Sequence, residues 1–385
     1  TLVDWSKAFD RQDPTLAIVS FQDNGVRSSL IPILMSFFEG RKMSVNWHGV
    51  RSSIKSLPGG GPQGSSLGLW SFLSQTNDNP EDNSDENMFK FVDDKTTLEV
   101  INLLSIGMAS HNTKANVPSN VLTSNLVISN DNLKTQEHLH RISEWTKEKK
   151  MKLNIEKTKN MIFNFSKNNQ FTSEIKLDGK IIETVKETKL LGTMMTDKLE
   201  WNRNTEKIVK ESNKRMVFLH KSSKFTCNKN DLKKIYIQQI RCKLEQSAVV
   251  WHSSLTLRCK QKLERVQKSA LRIILGDQYL NYKNALKVLK LQSLEERRES
   301  LCLRFAKKCL QVEKFRSMFP SKHQVHNMAK RGNEKYIVRS TLTERHKNSA
   351  ILHMQRSLNK ADTEKRKICR QIDKFEFVPI DPVFH

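Results

Sequence analysis

Apolar and polar positions divide the chain into two regimes. Up to about residue 186 the apolar runs are short and broken by turn residues; beyond it they recur every three or four positions. Thr1-Leu2-Val3 is a strand ending on Asp4, Leu16 to Val19 and Ile31 to Phe38 are helical segments, and Met43 to Val50 returns to strand character. Phe89 to Val92 runs into Asp93-Asp94 and is followed by β-branched Thr96 to Val100, which predicts a tight hairpin with two carboxylates at its tip. Gln75 to Asn87 is a polar, acidic loop, Leu98 to Ala109 is mostly apolar, and Ser110 to Asn132 has loop character apart from Val121 to Ile128. Leu139, Ile142 and Trp145 share one face of a helix from Gln136 to Lys150. A strand at Asn160 to Phe165 and a hairpin turning on Asp178-Gly179 within Ile175 to Val185 complete this half.

After Lys186 the spacing predicts long helices. Leu232, Tyr236, Ile240, Leu244 and Ala248 form one stripe; Leu263, Val266, Ala270 and Ile273 form another, closed by Gly276. Ser293 with Glu296 makes a capping box that opens a helix through Leu301, Phe305 and Cys309. Core is the simpler role for each stripe, with Lys and Arg on the outer faces. Beyond Pro320 the chain is basic and weakly patterned, with a short helix at Ala350 to Leu358.

Composition narrows the function. Against 41 Asp+Glu stand 66 Lys+Arg, a net charge of +25 that favours polyanions. No run approaches the ~20 apolar residues that span a bilayer, and no N-terminal signal pattern is visible. Cys227, Cys242, Cys259, Cys302, Cys309 and Cys369 include no CxxC pair, so neither a zinc site nor a disulfide framework is expected, and a reducing intracellular compartment fits.

Two stretches carry candidate chemistry. Adjacent Asp93 and Asp94 repel one another, and a divalent cation is one reason to hold them together; the other is that Asp is a good turn residue. In Leu57 to Gly68 the glycines let backbone approach a ligand closely, but Gly64 is followed by Ser65 where GxxxxGK[ST] demands Lys, which argues against a Walker-type nucleotide site.

Taken together, three signals in order resemble the polymerase motifs of reverse transcriptases, and most of all those of non-LTR (LINE-type) retrotransposons. DWSKAFD at Asp4 to Asp10 resembles the first motif, GGGPQGSSLG at Gly59 to Gly68 the second and FVDD at Phe91 to Asp94 the third. LNIEKTK at Leu153 to Lys159 is similar to the fourth, and LLGTMMTDKLEW at Leu190 to Trp201 to the primer-grip segment. AVVWHSSL at Ala248 to Leu255 and LERVQKSALRIIL at Leu263 to Leu275 resemble the helical part that comes after the palm in such elements. Any one motif is weak; five in order are specific.

The resemblance implies an α+β fold: a right-hand palm, with a βαββαβ-type antiparallel sheet and helices on one face, over residues 1–187, a helical thumb over 188–312, and a basic C-terminal segment over 313–385. It implies RNA-directed DNA polymerase activity with two Mg²⁺ ions, or Mn²⁺ in their place, on an RNA template, a DNA primer and dNTPs, in nucleus and cytoplasm with no membrane role. Asp4, Asp93 and Asp94 would hold the metals, while Asp10 has a structural role. Phe9 is either the gate against a ribose 2′-hydroxyl or a core ring. Pro62, Gln63 and Gly64 would lie against the template–nucleotide pair. Lys157 either meets the leaving phosphate or is a solvated lysine, and Leu191 and Gly192 would hold the primer end. Starting at the first motif, the chain reads as a fragment without fingers or endonuclease, for which little or no polymerase activity is expected. The alternative is a decayed or domesticated element that binds RNA without chemistry; an RNA-dependent RNA polymerase or a group II intron maturase fits SKAFD and the helical segment after the thumb less well.

Overall fold

A computed structural model describes residues 1–77, 88–92, 94–100, 126–127, 133–165, 171–225, 228–321 and 335–375. It mixes α and β structure in two compact units, Thr1–Leu191 with Thr196–Lys198, and Gly192–Met195 with Leu199–His385. Among the described residues no helix is long and apolar enough to cross a membrane.

The first unit starts with strand β1 (Leu2–Val3) and helices α1 (Pro14–Asp23) and α2 (Ile31–Phe38). Strands β2 (Lys42–Met43), β3 (Asn46–Trp47), β4 (Val50–Arg51) and β5 (Lys55–Ser56) follow, then helix α3 (Ser66–Thr76) and the hairpin β6 (Met88–Phe91) and β7 (Asp94–Thr97). Next come β8 (Leu126–Val127), α4 (Lys134–Glu148), β9 (Phe171–Thr172), and the hairpin β10 (Lys176–Leu177) and β11 (Lys180–Ile181). The pairings are antiparallel except β8 with β9.

The sheet that matters most has the order β1-β7-β6. On its other edge β1 is bound by the segment 152–159: Leu2 and Lys159 exchange both backbone hydrogen bonds, at 2.8 and 3.0 Å, and Ser6 N–H donates to Lys152 O at 2.8 Å. A first strand of two residues is thus hydrogen-bonded on both sides, which a buried backbone requires. Side chains from this sheet and two helices then close one core of Val3, Trp5, Phe72, Met88, Leu139, Ile142, Trp145 and Leu153. Trp5 and Trp145 meet edge to face, their centroids 5.6 Å apart.

Local chemistry sets the helix boundaries. Asp13 caps α1, accepting from Thr15 N–H at 2.9 Å and Leu16 N–H at 3.2 Å, ahead of Pro14 in the first turn. Ser65 caps α3 in the same way. The Asp178-Gly179 turn forms as its sequence predicts, with both φ angles positive. Two expectations change. Residues 160–165 make no strand; Asn160 forms only an isolated bridge to Thr184. Gln75 and Thr76 are buried at the end of α3 and not in a solvated loop, because the helix runs on and Thr76 Oγ1 donates to Phe72 O at 2.9 Å. Residues 78–87 and 101–125 lie outside the described set.

The second unit follows the hairpin of β12 (Glu187–Leu190) and β13 (Thr193–Thr196) and is helical: α5 (Asn202–Ser223), α6 (Lys229–Ile235), α7 (Leu257–Leu275), α8 (Tyr282–Val288), α9 (Leu294–Cys309) and α10 (Ala350–Phe375). Its core takes Leu219, Leu232, Tyr236, Ile240, Leu244, Trp251, Leu263, Ala270 and Leu271. The stripe from Leu232 to Ala248 is buried as expected, yet it is not one helix. It passes through a π-helical stretch at Tyr236–Arg241 and is cut at Ser247, whose φ is +52°. On α9 the capping box forms, but the buried line is Leu294, Arg298, Cys302, Ala306 and Cys309, and Phe305 is exposed. Ile273 is likewise only partly buried, and Ile274 takes the inner position on α7. The weakly patterned C-terminal stretch contains a 26-residue helix, α10, whose Met354 and Leu358 pack with Cys302 and Ala306.

Asp13 is held below the usual carboxylate range: burial opposes this, but the hydrogen bonds from Lys150, Leu16 and Thr15 outweigh it. Replacing Asp13→Ala should cost ~1 kcal/mol in a urea titration at neutral pH. Its folded pKa being depressed, the contribution is present above the ordinary value of 3.8 and is lost as pH falls through the folded pKa, so the variant and the parent should converge at acid pH.

Candidate active site

Register brings two of the predicted acids, Asp4 and Asp94, to one strand end. Leu2 pairs with Thr96 and Val3 with Lys95. Asp4 follows Val3 and Asp94 precedes Lys95, so the two flank the last pair of the ladder, and Asp94, the first residue of β7, itself pairs with Phe91. Asp93 lies outside the described residues. Asp4 is half-buried and Asp94 exposed, and each is hydrogen-bonded or otherwise engaged. Carboxylate oxygens are the donors that a hard dication such as Mg²⁺ takes, so the donor set at this strand end fits the implied metal.

The segment on the far side of β1 fixes Asp4 by its backbone. Asp4 N–H donates to Thr158 Oγ1 at 3.2 Å and Asp4 O accepts from Asn154 N–H at 2.8 Å. Thr158 is fully buried. Lys157, its neighbour, is exposed, and its own N–H donates to Asn154 Oδ1 at 3.2 Å.

The glycine loop is built onto the turn after the first motif. Gly60 N–H donates to Gln12 O at 2.8 Å and Gly61 N–H to Phe9 O at 2.7 Å. A Cβ at Gly61 would come within 2.3 Å of Gln12 Oε1, and one at Gly68 within 2.1 Å of Pro62 O, so both positions need glycine for close approach. Gln63 Nε2 donates to Asp10 Oδ1 at 3.0 Å, which gives Asp10 a part in holding the loop. Arg41 Nη2 donates to Gly59 O at 2.8 Å and to Gly60 O. Gly64 differs: a Cβ there would meet nothing within 4 Å, and its φ of +85° is what favours glycine. Space in front of Pro62-Gln63-Gly64 is open. Phe9 is partly buried and stacks on Phe72, with centroids 4.4 Å apart. Gln12 and Arg41 stand outside the sequence motifs, each an isolated polar residue whose role comes from burial or from a distant carbonyl, and within the fourth motif the sequence does not set Thr158 apart.

Where the chain passes from the first unit to the second, Leu191 and Gly192 turn the β12–β13 hairpin with φ of +45° and +85°. Leu191 is exposed; within the second unit Gly192 O accepts from Lys207 Nζ at 2.8 Å, and Gln246 Nε2 stands 2.5 Å from where a Cβ would be.

The second unit carries two further features. An open groove of about 800 Å³ between α5 and α7 is lined by Lys210, Lys214 and Arg265, by Lys262 paired with Glu206 at 3.2 Å, and by Asn213 and Ser269. And His252, Glu299 and His353, which no spacing in the sequence links, place ligand atoms within 4.8 Å of one another. Glu299 accepts from both rings, at 3.0 Å each. Arg298 Nε–H donates to His252 Nδ1 at 3.1 Å, which leaves the proton of a neutral His252 on Nε2, pointing at Glu299. With that nitrogen protonated and a buried guanidinium beside it, the cluster reads as a hydrogen-bonded tie between α9 and α10 and not as a metal centre. Burial holds His252 below the ordinary histidine value; the two histidine hydrogen bonds hold Glu299 well below the usual carboxylate range.

No family model matches the chain. A stretch of 175 residues is 28% identical to the RNA-directed DNA polymerase from the mobile element jockey of Drosophila funebris, covering 46% of this chain and 17% of that protein. The matched stretch thus spans about a sixth of that relative's length, and the chain is related, distantly, to a reverse transcriptase.

Two outcomes are expected. Gly68→Ala should destabilise the first unit in urea by more than the ~1 kcal/mol of a helical propensity change and in the opposite direction, because Pro62 O must move. Resistance to thermal unfolding should weaken as pH falls below 6.5, since His252 binds a proton more readily unfolded than folded. It should weaken again below 4.5, where the unfolded Glu299 protonates first, and Glu299→Gln should shrink that second phase.

Proposed function

We propose that the chain is the polymerase part of an RNA-directed DNA polymerase from a mobile element, adding dNTPs to a primer 3′-hydroxyl on an RNA template. The observation that supports this reading is the β1–β7 register, whose end is flanked by Asp4 and Asp94, in the same unit as a Pro-Gln-Gly loop whose Gly64 has open space beside it. Asp4, Asp94 and Asp93 would hold two Mg²⁺ ions, which when bound lower the pKa of the attacking hydroxyl and stabilise the leaving pyrophosphate.

The chain's own residues would do the positioning. Asp4 is fixed by its backbone bonds to Asn154 and Thr158 and so presents its carboxylate from a rigid strand end. The 9–12 turn and Arg41 hold the glycine loop, leaving Gln63 and Gly64 to face the template–nucleotide pair. Phe9, seated on Phe72, would exclude a 2′-hydroxyl. Lys157 would meet the leaving phosphates, and Leu191 with Gly192 the primer end. In this reading residues 1–187 serve as palm and 188–312 as thumb, where Lys210, Lys214 and Arg265 would take duplex phosphates without sequence preference.

That basic groove, with the charge of +25, also supports a second reading, an RNA-binding protein without chemistry. The two separate on metal dependence. Calorimetric titration of a dNTP into the chain with RNA template and primer bound should give binding that needs Mg²⁺ and that Asp4→Asn and Asp94→Asn each abolish. RNA binding indifferent to Mg²⁺, with no nucleotide bound, would leave only the second reading standing.

A further inference from the structure

The arm between α2 and the glycine loop presents an apolar face to solvent. β3 and β4 pair as Asn46↔Arg51 and Trp47↔Val50, and Val45 and Ser52 continue that register through Ser52 N–H to Val45 O at 2.8 Å. Side chains alternate along a strand, so Val45, Trp47, Val50 and Ser52 share one face, and Ser44, Asn46 and Arg51 the other. The apolar face is open: Val45 is 58% exposed, Trp47 73% and Val50 74%. His48 and Gly49 turn the tip with positive φ, and the His48 ring stands edge-on to the indole at 4.9 Å, which orients it. An exposed two-stranded hairpin gains nothing from an outward Trp unless something covers it.

Charge indicates what that is. From Arg41 to Ser56 there are four basic residues and no Asp or Glu. Arg41 is spent on the carbonyls of Gly59 and Gly60, and Arg51, on the face away from Trp47, donates Nε–H to Ser44 Oγ at 2.9 Å; Lys42 and Lys55 are exposed, with Lys55 on the face of Trp47. A protein surface as positive as this chain's own would be repelled, which removes a second copy as the occupant. An indole flanked by cations and free of carboxylates is what unpaired nucleic acid binds, bases stacking on the ring and phosphates meeting Lys and Arg. The arm is also continuous with the loop: β2 pairs with β5 as Lys42↔Ser56 and Met43↔Lys55, and the chain leaves β5 straight into Leu57 to Gly68.

We infer that the Lys42–Ser56 arm is a binding site for single-stranded nucleic acid, with a base stacked on Trp47 against Val50 and a flanking phosphate on Lys55. It rests on the polymerase reading only in making that strand the template beyond the Gln63–Gly64 loop.

The test is fluorescence anisotropy of a labelled single-stranded RNA with the full chain, without divalent metal or dNTP, so that its failure and that of the polymerase reading are distinguishable. Trp47→Ala should weaken binding by about tenfold, the loss of one stacked base, while Trp47→Phe should keep most of the affinity. Lys55→Ala should shallow the salt dependence by ~1 phosphate contact. Ultraviolet crosslinks should map to the 42–56 peptide. Trp47 is exposed, so its replacement should leave the fold intact, which circular dichroism checks. Unchanged affinity in Trp47→Ala, or an equal loss for fully duplex RNA, overturns the inference. So does a Trp47→Ala variant that binds RNA normally but loses an association with another protein, which would make the face a protein-docking surface.

Discussion

The first unit depends on the double pairing of Leu2 to Asp4. A strand this short has too little side chain to hold itself, so its place is fixed by main-chain bonds to β7 on one edge and to residues 152–159 on the other. Those bonds bring three distant parts of the sequence together. They also put Val3 and Trp5 into the core, so that burial of the apolar side chains and the bringing of Asp4 and Asp94 to one strand end are one event. Any change that slips this register by one residue turns Asp4 away from the hairpin and Val3 out of the core together.

The glycine loop shows the same economy. Gln12, in the turn just after the first motif, binds Gly60 with its backbone carbonyl and fills the space at Gly61 with its side chain, and its Oε1 accepts from Ser71 of α3 at 3.2 Å. One buried amide thereby links the first motif, the loop and the helix beneath it. Gly60, Gly61 and Gly68 serve packing, whereas Gly64 faces open space, and that contrast within a single run of glycines marks where a ligand would approach.

In the second unit a chain of buried polar groups does what apolar packing alone does not. Tyr236 Oη donates to Gln267 Oε1 at 2.5 Å, Gln267 Nε2 to Tyr282 Oη at 2.8 Å and to Gln292 O at 3.0 Å, and Tyr282 Oη to Glu264. Glu264 also accepts from Leu294 N–H at 3.1 Å, satisfying the start of α9. Burial drives both tyrosine hydroxyls well above their ordinary range, so they stay protonated as donors. A separate set of hydrogen bonds joins Arg298 to His252, and Glu299 to both His252 and His353 on α10. Matched hydrogen-bond partners of this kind fix which helix faces meet.

Local rules were enough for much of this protein. Ser293 with Glu296, Gly276 and Asp178-Gly179 each act within a few residues, and each element begins, ends or turns where its sequence says. The order of the motifs likewise singled out Asp4, Asp94, Gln63 and Gly64 without any coordinates. What the sequence could not give are the places where a polar residue answers to a distant one. Gln12, Thr158 and Arg41 look like any surface polar residue, and His252, Glu299 and His353 are separated by 47 and 54 positions. The inward line of α9 moved from Phe305 to Arg298 and Cys302 because Arg298 finds Trp251 and His252 inside, a partner set that no helical period encodes. Periodicity and caps are properties of neighbouring residues and can be read from a string; the pairing that brings Asp4 and Asp94 to one strand end is a property of the folded chain, and only tertiary structure decides it.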